Sequence, residues 1–237
     1  MNFLFNGECI NYDYLGGKKD TILFLHGWGG NKHSFKSSIS LCKHKFNIIA
    51  ITLPTTEETS KVWSVPLYAA AVENILKSHN VNSCAVVCHS FGFRVASLMN
   101  KNLINKIVIT GGAGIKSKCI FKRISIENRI ILNKNPRFKN KCLNISNKDY
   151  SSLSNTNKQS FKNIVNLNTI LCSKFNCKML LFWGKNDTET PLFIAKKLKK
   201  LNRCNLIVTN GNHFAYLQQS GLFNNLAIRF LNGNDYS

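Results

Sequence analysis

Three residues far apart in the chain have the types that nucleophilic catalysis needs. Ser90 stands in CAVVCHSFGFRVA (84–96), where an apolar run stops at Cys88 and a helix-like pattern begins. Asp187 ends the run CKMLLFWGKND (177–187), and His213 stands in NGNHFAYL (210–217). A serine hydroxyl is a weak nucleophile until a base takes its proton, and an imidazole held by a carboxylate is such a base. A serine raised on a sharp strand-to-helix turn tolerates only small residues two places before and after it. Gly92 meets that demand, and Cys88 stands where a first glycine is usual. The N–H of Phe91, just past the serine, is then free to hold an oxyanion. The chain order Ser, Asp, His fits this type of elbow. Glu189 is a rival for the orienting acid, and Asp187 also reads as a helix cap ahead of TETP. His33, His44, His79 and His89 read as surface or packing histidines.

Residues so far apart meet only if the fold brings strand ends together. Short apolar runs that end in glycines or polar residues recur at 21–30, 46–54, 83–90, 104–114, 177–187 and 204–214. They read as buried strands. Between them, 65–80, 91–102, 192–201 and 221–232 carry helical spacing, with Leu67, Ala71 and Ile75 on one row of the first and Ala70 and Asn74 beside it. Alternating apolar strands and helices predict an α/β fold with a mostly parallel sheet covered on both faces. Ligands bind such sheets beyond the C-terminal strand ends. That is where His26–Gly30, Ser90, Asp187 and His213 fall.

Residues 114–176 break the alternation. The stretch is polar, rich in Asn, Lys and Ser, with short amphipathic pieces such as 160–167. It is too long for a plain loop and reads as an inserted helical cap on a core formed by 1–113 and 177–237. No stretch has the length of a membrane-spanning helix, and the N-terminus lacks the pattern of a secretory signal, so a cytoplasmic protein is expected. The nine cysteines sit singly, without a CxxC or zinc-type spacing, and read as reduced thiols. No metal or organic cofactor is expected. The 32 Lys and Arg against 11 Asp and Glu give a net charge of +21. The basic residues are spread out, not interleaved with aromatics as on a single-strand-binding surface, so the bias reads as compositional and no specific nucleic acid is expected.

Four segments together, LFLHGWGG (23–30), CHSFG (88–92), LLFWGKNDTETP (180–191) and GNHFAYL (211–217), resemble the α/β-hydrolase fold family over nearly the whole chain. The resemblance implies Ser90 as nucleophile, His213 as general base then acid, and Asp187 as its orienting acid. His26-Gly27 looks like the family's HG oxyanion loop, which implies a structural role for His26 and a second oxyanion donor in the backbone N–H of Trp28. GAGIKSK, SFKNIVN and WGKNDTETPLFIAKKL look like a bacterial, largely Firmicutes-type subgroup. Relatives that process halides or epoxides place an Asp at the elbow. Ser90 implies acyl transfer from an ester, thioester or amide, or hydrolysis of an activated C–C bond, with a small-molecule ester as the expected substrate. Some proteins of this fold keep the triad and serve as ligand receptors.

The sequence departs from the family in TLPTTEETS (52–60), where Thr52 replaces an Asp and the usual glycines are missing. LHGWG and the Ser-Asp-His layout are similar to those of pimeloyl-acyl-carrier-protein methyl ester esterase, an enzyme of biotin synthesis that holds an acidic acyl-carrier protein on basic cap residues. Here Lys116, Lys118, Lys122, Arg123, Arg129, Lys134, Arg137, Lys139 and Lys141 surround a single acid, Glu127. These basic residues read first as a solvated face; the resemblance adds the alternative of an acidic acyl-carrier protein as partner.

Overall fold

The computed structural model describes residues 1–56, 59–115 and 152–233. Its strands are β1 (Asn2–Phe5), β2 (Glu8–Leu15), β3 (Thr21–Leu25), β4 (Asn47–Ile51), β5 (Cys84–His89), β6 (Ile104–Thr110), β7 (Lys178–Gly184) and β8 (Asn205–Thr209). Its helices are α1 (Lys36–Cys42), α2 (Val65–Ser78), α3 (Phe91–Ala96), α4 (Asn155–Asn166), α5 (Leu192–Asn202), α6 (Ala215–Gln218) and α7 (Ser220–Leu231). One sheet runs in the order β1-β2-β4-β3-β5-β6-β7-β8. From β4 to β8 every neighbouring pair is parallel, and β1 and β2 join antiparallel at the β4 edge.

The predicted parallel core is therefore present, and the apolar runs explain it. Strands buried on both faces need apolar residues at every position. On β3, Leu23 and Leu25 face one core cluster while Ile22 and Phe24 face the other. On β7, Leu181 and Trp183 face the first and Leu180 and Phe182 the second. The first face is covered by α2, α3 and α5, the second by α1, α6 and α7. On α2 the buried rows are Val65, Tyr68, Ala69, Val72, Ile75 and Leu76, with Ala71. Leu67 and Ala70 are only half buried, and Asn74 is exposed.

Two differences from the expected elements stand out. The N-terminal hairpin of β1 and β2 is an addition to them. Its turn is Asn6-Gly7, with φ of 52° and 83°, the pair of left-handed residues that a tight hairpin turn needs. The helix expected over 91–102 stops at Ala96, and a separate 3-10 turn spans Lys101–Leu103. Of the expected cap, only 114–115 and 152–176 are described; they hold α4 and a 3-10 turn at Ile170–Cys172. The basic cap residues from Lys116 to Lys141 lie outside the described residues.

After β3 the chain goes to β4 on one side and returns to β5 on the other. The crevice at that reversal lies beyond the C-terminal ends of β3 and β5. Gly27 and Ser90 stand there.

Candidate active site

Ser90 links β5 to α3 with φ 48° and ψ −111°, a backbone conformation that residues with a side chain rarely hold. The turn is fixed from outside. Ser90 N donates to Thr110 O at 3.1 Å, and Ala113 N donates to Ser90 O at 3.0 Å. A Cβ on Gly92 would stand 2.3 Å from Leu25 O, so only glycine lets α3 lie this close to β3. Cys88 is accommodated because it is still within β5, with its side chain in the core cluster that α2 and α3 cover. Ser90 Oγ makes no hydrogen bond to any described residue.

His213 sits in the loop after β8 and is buried. Its Nδ1–H donates to Asp187 Oδ2 at 2.9 Å. Asp187, at the end of β7, is itself held by a turn. Its Oδ1 accepts the N–H of Glu189 at 3.0 Å and of Thr190 at 2.8 Å, and its Oδ2 accepts the Thr190 hydroxyl at 2.8 Å. Asp187 is not a helix cap, because the next helix starts after Pro191; its Oδ1 closes an Asx turn while its Oδ2 meets the imidazole. Burial acts against the carboxylate, but His213 and the two Thr190 bonds outweigh it, so Asp187 titrates below its ordinary value.

Glu189 does not compete for Nδ1. Its Oε2 lies 3.3 Å from His213 Nε2, on the opposite edge of the ring. The imidazole lies between two carboxylates, Asp187 fully buried and hydrogen-bonded to it, and Glu189 one-third exposed at the rim.

Glycines let the loops close on one another. A Cβ on Gly111 would stand 3.0 Å from the His213 ring and 3.2 Å from His89. A Cβ on Gly27 would stand 2.8 Å from His89 and 3.3 Å from Ser90 Cβ. Ser90 and His213 are therefore joined through Gly27, His89 and Gly111. His89 is a packing histidine, as expected, but at the centre of the site. Its ring lies 4.6 Å from His213 and 4.7 Å from Tyr216, and its Nδ1 bonds Thr110 O at 3.0 Å. Burial first, then the neighbouring His213, pushes its pKa down to about 3, so it stays neutral.

His26 ties the loop after β3 to the loop after β4. Its Nε2 accepts the N–H of Leu53 at 2.8 Å, which leaves the proton on Nδ1, 2.6 Å from Gly27 O. Burial lowers its pKa to about 4. In the loop where the family glycines are missing, threonines make the connections: Gly29 N donates to Thr55 Oγ1 at 3.2 Å and Lys32 N to Thr52 Oγ1 at 3.1 Å. The N–H groups of Trp28 and Phe91 have no acceptor among the described residues.

An aromatic wall flanks these N–H groups. Trp28 packs edge-on against Phe91 at 5.8 Å and against Phe161 of α4 at 4.9 Å, and Tyr68 packs on Phe91 at 5.0 Å. Nothing in the sequence pointed to Phe161 as a neighbour of Trp28. Among the described residues, no group of three or more His, Cys, Asp and Glu side chains is placed to hold a metal ion, and no helix is long and apolar enough to cross a membrane.

No protein-family model matches the sequence. A 120-residue stretch is 28% identical to the uncharacterized hydrolase YugF of Bacillus subtilis, covering 47% of this chain and 44% of that protein. The match thus spans less than half of that relative. Solved structures match over nearly the full length. The enol-lactonase of Burkholderia xenovorans LB400 aligns with a TM-score of 0.78 at 10% identity, covering 98% of this chain and 100% of that one. A meta-cleavage product hydrolase of Pseudomonas fluorescens IP01 aligns at 0.73 with 18% identity, over 99% and 98%. An esterase of Exiguobacterium antarcticum aligns at 0.75 with 14% identity, over 94% and 96%. The chain has the α/β-hydrolase fold.

Proposed function

We propose that the protein is a serine hydrolase that cleaves a carboxylic ester or thioester through an acyl-enzyme. The observation that carries this reading is the buried Asp187–His213 hydrogen bond, set in the same crevice as the strained Ser90 turn. The similarity to hydrolases, an esterase and a lactonase agrees with it.

In this mechanism Ser90 Oγ attacks the substrate carbonyl as His213 Nε2 takes its proton. Asp187 keeps Nδ1 protonated and balances the imidazolium. The N–H groups of Trp28 and Phe91 hold the oxyanion. His213 returns the proton to the leaving oxygen or sulfur, and water activated by the same nitrogen releases the acid. Trp28, Phe91 and Phe161 form an apolar flank suited to a hydrocarbon acyl chain.

The reading is tested by labelling with a fluorophosphonate probe, wild type beside Ser90→Ala, followed by p-nitrophenyl esters of rising chain length. Labelling is expected only in the wild type, with turnover falling by roughly a thousandfold or more in the variant. A folded wild type that is not labelled overturns the reading and brings a ligand-receptor role forward.

A further inference from the structure

Glu189 is the feature of the site that this mechanism leaves unused. Of the 11 acidic residues in a strongly basic chain, two lie on one imidazole. Asp187 takes the Nδ1 proton. The Nε2 edge faces the other acid, with Glu189 Oε2 3.3 Å away at the rim of the site. The contact is built into the loop. Asp187 Oδ1 accepts the Glu189 N–H, so the bond that orders the orienting acid also places Glu189.

In acyl transfer the base returns its proton to the leaving group, so the leaving group must come to Nε2. Its substituents then lie beside Glu189. A positive charge on them would become the carboxylate's partner. A neutral group would gain nothing from it.

We propose that Glu189 is a specificity-determining residue that favours esters or thioesters whose leaving group carries a positive charge. This rests on the serine-hydrolase reading above. Among the described residues, the titratable groups facing this pair are Asp187 and His89, which packs on the far side of the His213 ring. Burial raises the Glu189 pKa, Asp187 adds to the rise and His213 opposes it. The preference requires the ionised carboxylate, so it grows as pH rises through that titration and fades below it.

The test compares two esters of one acyl chain, the length that wild type cleaves fastest. One is the choline ester; the other is the 3,3-dimethylbutyl ester, its neutral isostere. In wild type the choline ester is expected to have a kcat/KM higher by roughly five- to tenfold, the modest effect of a partly exposed charge. In Glu189→Gln that ratio falls to about one. An equal ratio in wild type and variant, with Ser90 still labelled by the probe, overturns this inference alone. Failure of wild type to cleave any ester, with Ser90 unlabelled, overturns the serine-hydrolase reading and this inference with it.

Discussion

His213 is under two opposed demands. Asp187 bonds its Nδ1 from a buried, fully hydrogen-bonded position, while Glu189 lies 3.3 Å from its other nitrogen at the rim. The two acids differ in environment, so their replacement should differ in effect. Asp187→Asn keeps the shape but offers an amide where Nδ1–H needs an acceptor. Ester turnover should fall by roughly three to four orders of magnitude, measured as kcat near neutral pH, with the protein still folded. Glu189→Gln should leave a far more active enzyme. If the two variants were equally impaired, Glu189 would belong with the orienting acid. Ser90, by contrast, owes its geometry to backbone bonds with Thr110 and Ala113, so Ser90→Ala should not disturb the turn.

Between elements, the main link runs from α3 to α4. Arg94 on α3 is buried and donates to the carbonyls of Ile164 and Leu167, at the C-terminal end of α4. Ile164 O also accepts the Leu167 N–H at 3.3 Å, and a cation at this end complements the helix dipole. Burial lowers the guanidinium pKa only to about 10, so it stays charged at neutral pH. A second set of bonds joins α4 to the loop before α2: Thr59 Oγ1 bonds Asn157 Oδ1 at 2.9 Å, and Trp63 N donates to Ser160 Oγ at 2.8 Å. The elbow helix thus holds the helix that carries Phe161 over Trp28. Arg94→Met should cost about 2–3 kcal/mol of stability, the value of charge-assisted hydrogen bonds. Hydrogen exchange should show lost protection in 155–166 beyond that seen in the sheet. KM should rise for long acyl chains more than for acetate. An unchanged exchange rate in α4 would mean that the Thr59 and Trp63 bonds suffice.

Across the whole molecule, two buried neutral histidines make stability depend on pH. His26 and His89 have pKa values of about 4 and about 3 in the fold and near 6.5 in the unfolded chain. Between these limits the unfolded chain binds more protons, so stability is full above about pH 6.5 and falls as pH drops toward 4. The loss from His26 alone is roughly 3 kcal/mol, because each tenfold difference in proton affinity between the two states is worth about 1.4 kcal/mol. Denaturant midpoints measured between pH 7 and 4 should fall accordingly, and a His26→Asn variant, less stable at pH 7, should show a flatter slope. The net charge of +21 acts at longer range. The alternative of an acidic acyl-carrier protein as partner is tested by carrier turnover, which would weaken with salt, and with removal of the basic residues between 116 and 141, while a neutral ester is unaffected. Equal loss on both substrates would rule it out.

The strands, their parallel arrangement and the placing of Ser90, Asp187 and His213 at strand ends were legible in the chain, because burial on both faces forces continuous apolar runs and the turns that end them need Gly, Asn or Asp. The N-terminal hairpin carried a readable signal in Asn6-Gly7. The seven-residue α1 and four-residue α6 did not, since helices that short lack the turns over which a period can be seen. What the sequence could not resolve was which nitrogen of His213 each acid would take. Asp187 and Glu189 are two residues apart and chemically alike. Their roles separate only when β7 and β8 lie side by side, and the Asx turn at Asp187 sends one carboxylate beneath the imidazole and the other to its rim. The pairing of Arg94 with the end of α4, and of Trp28 with Phe161, likewise depends on contacts between segments distant in sequence. Local pattern determines elements; packing alone decides which side chains share a site.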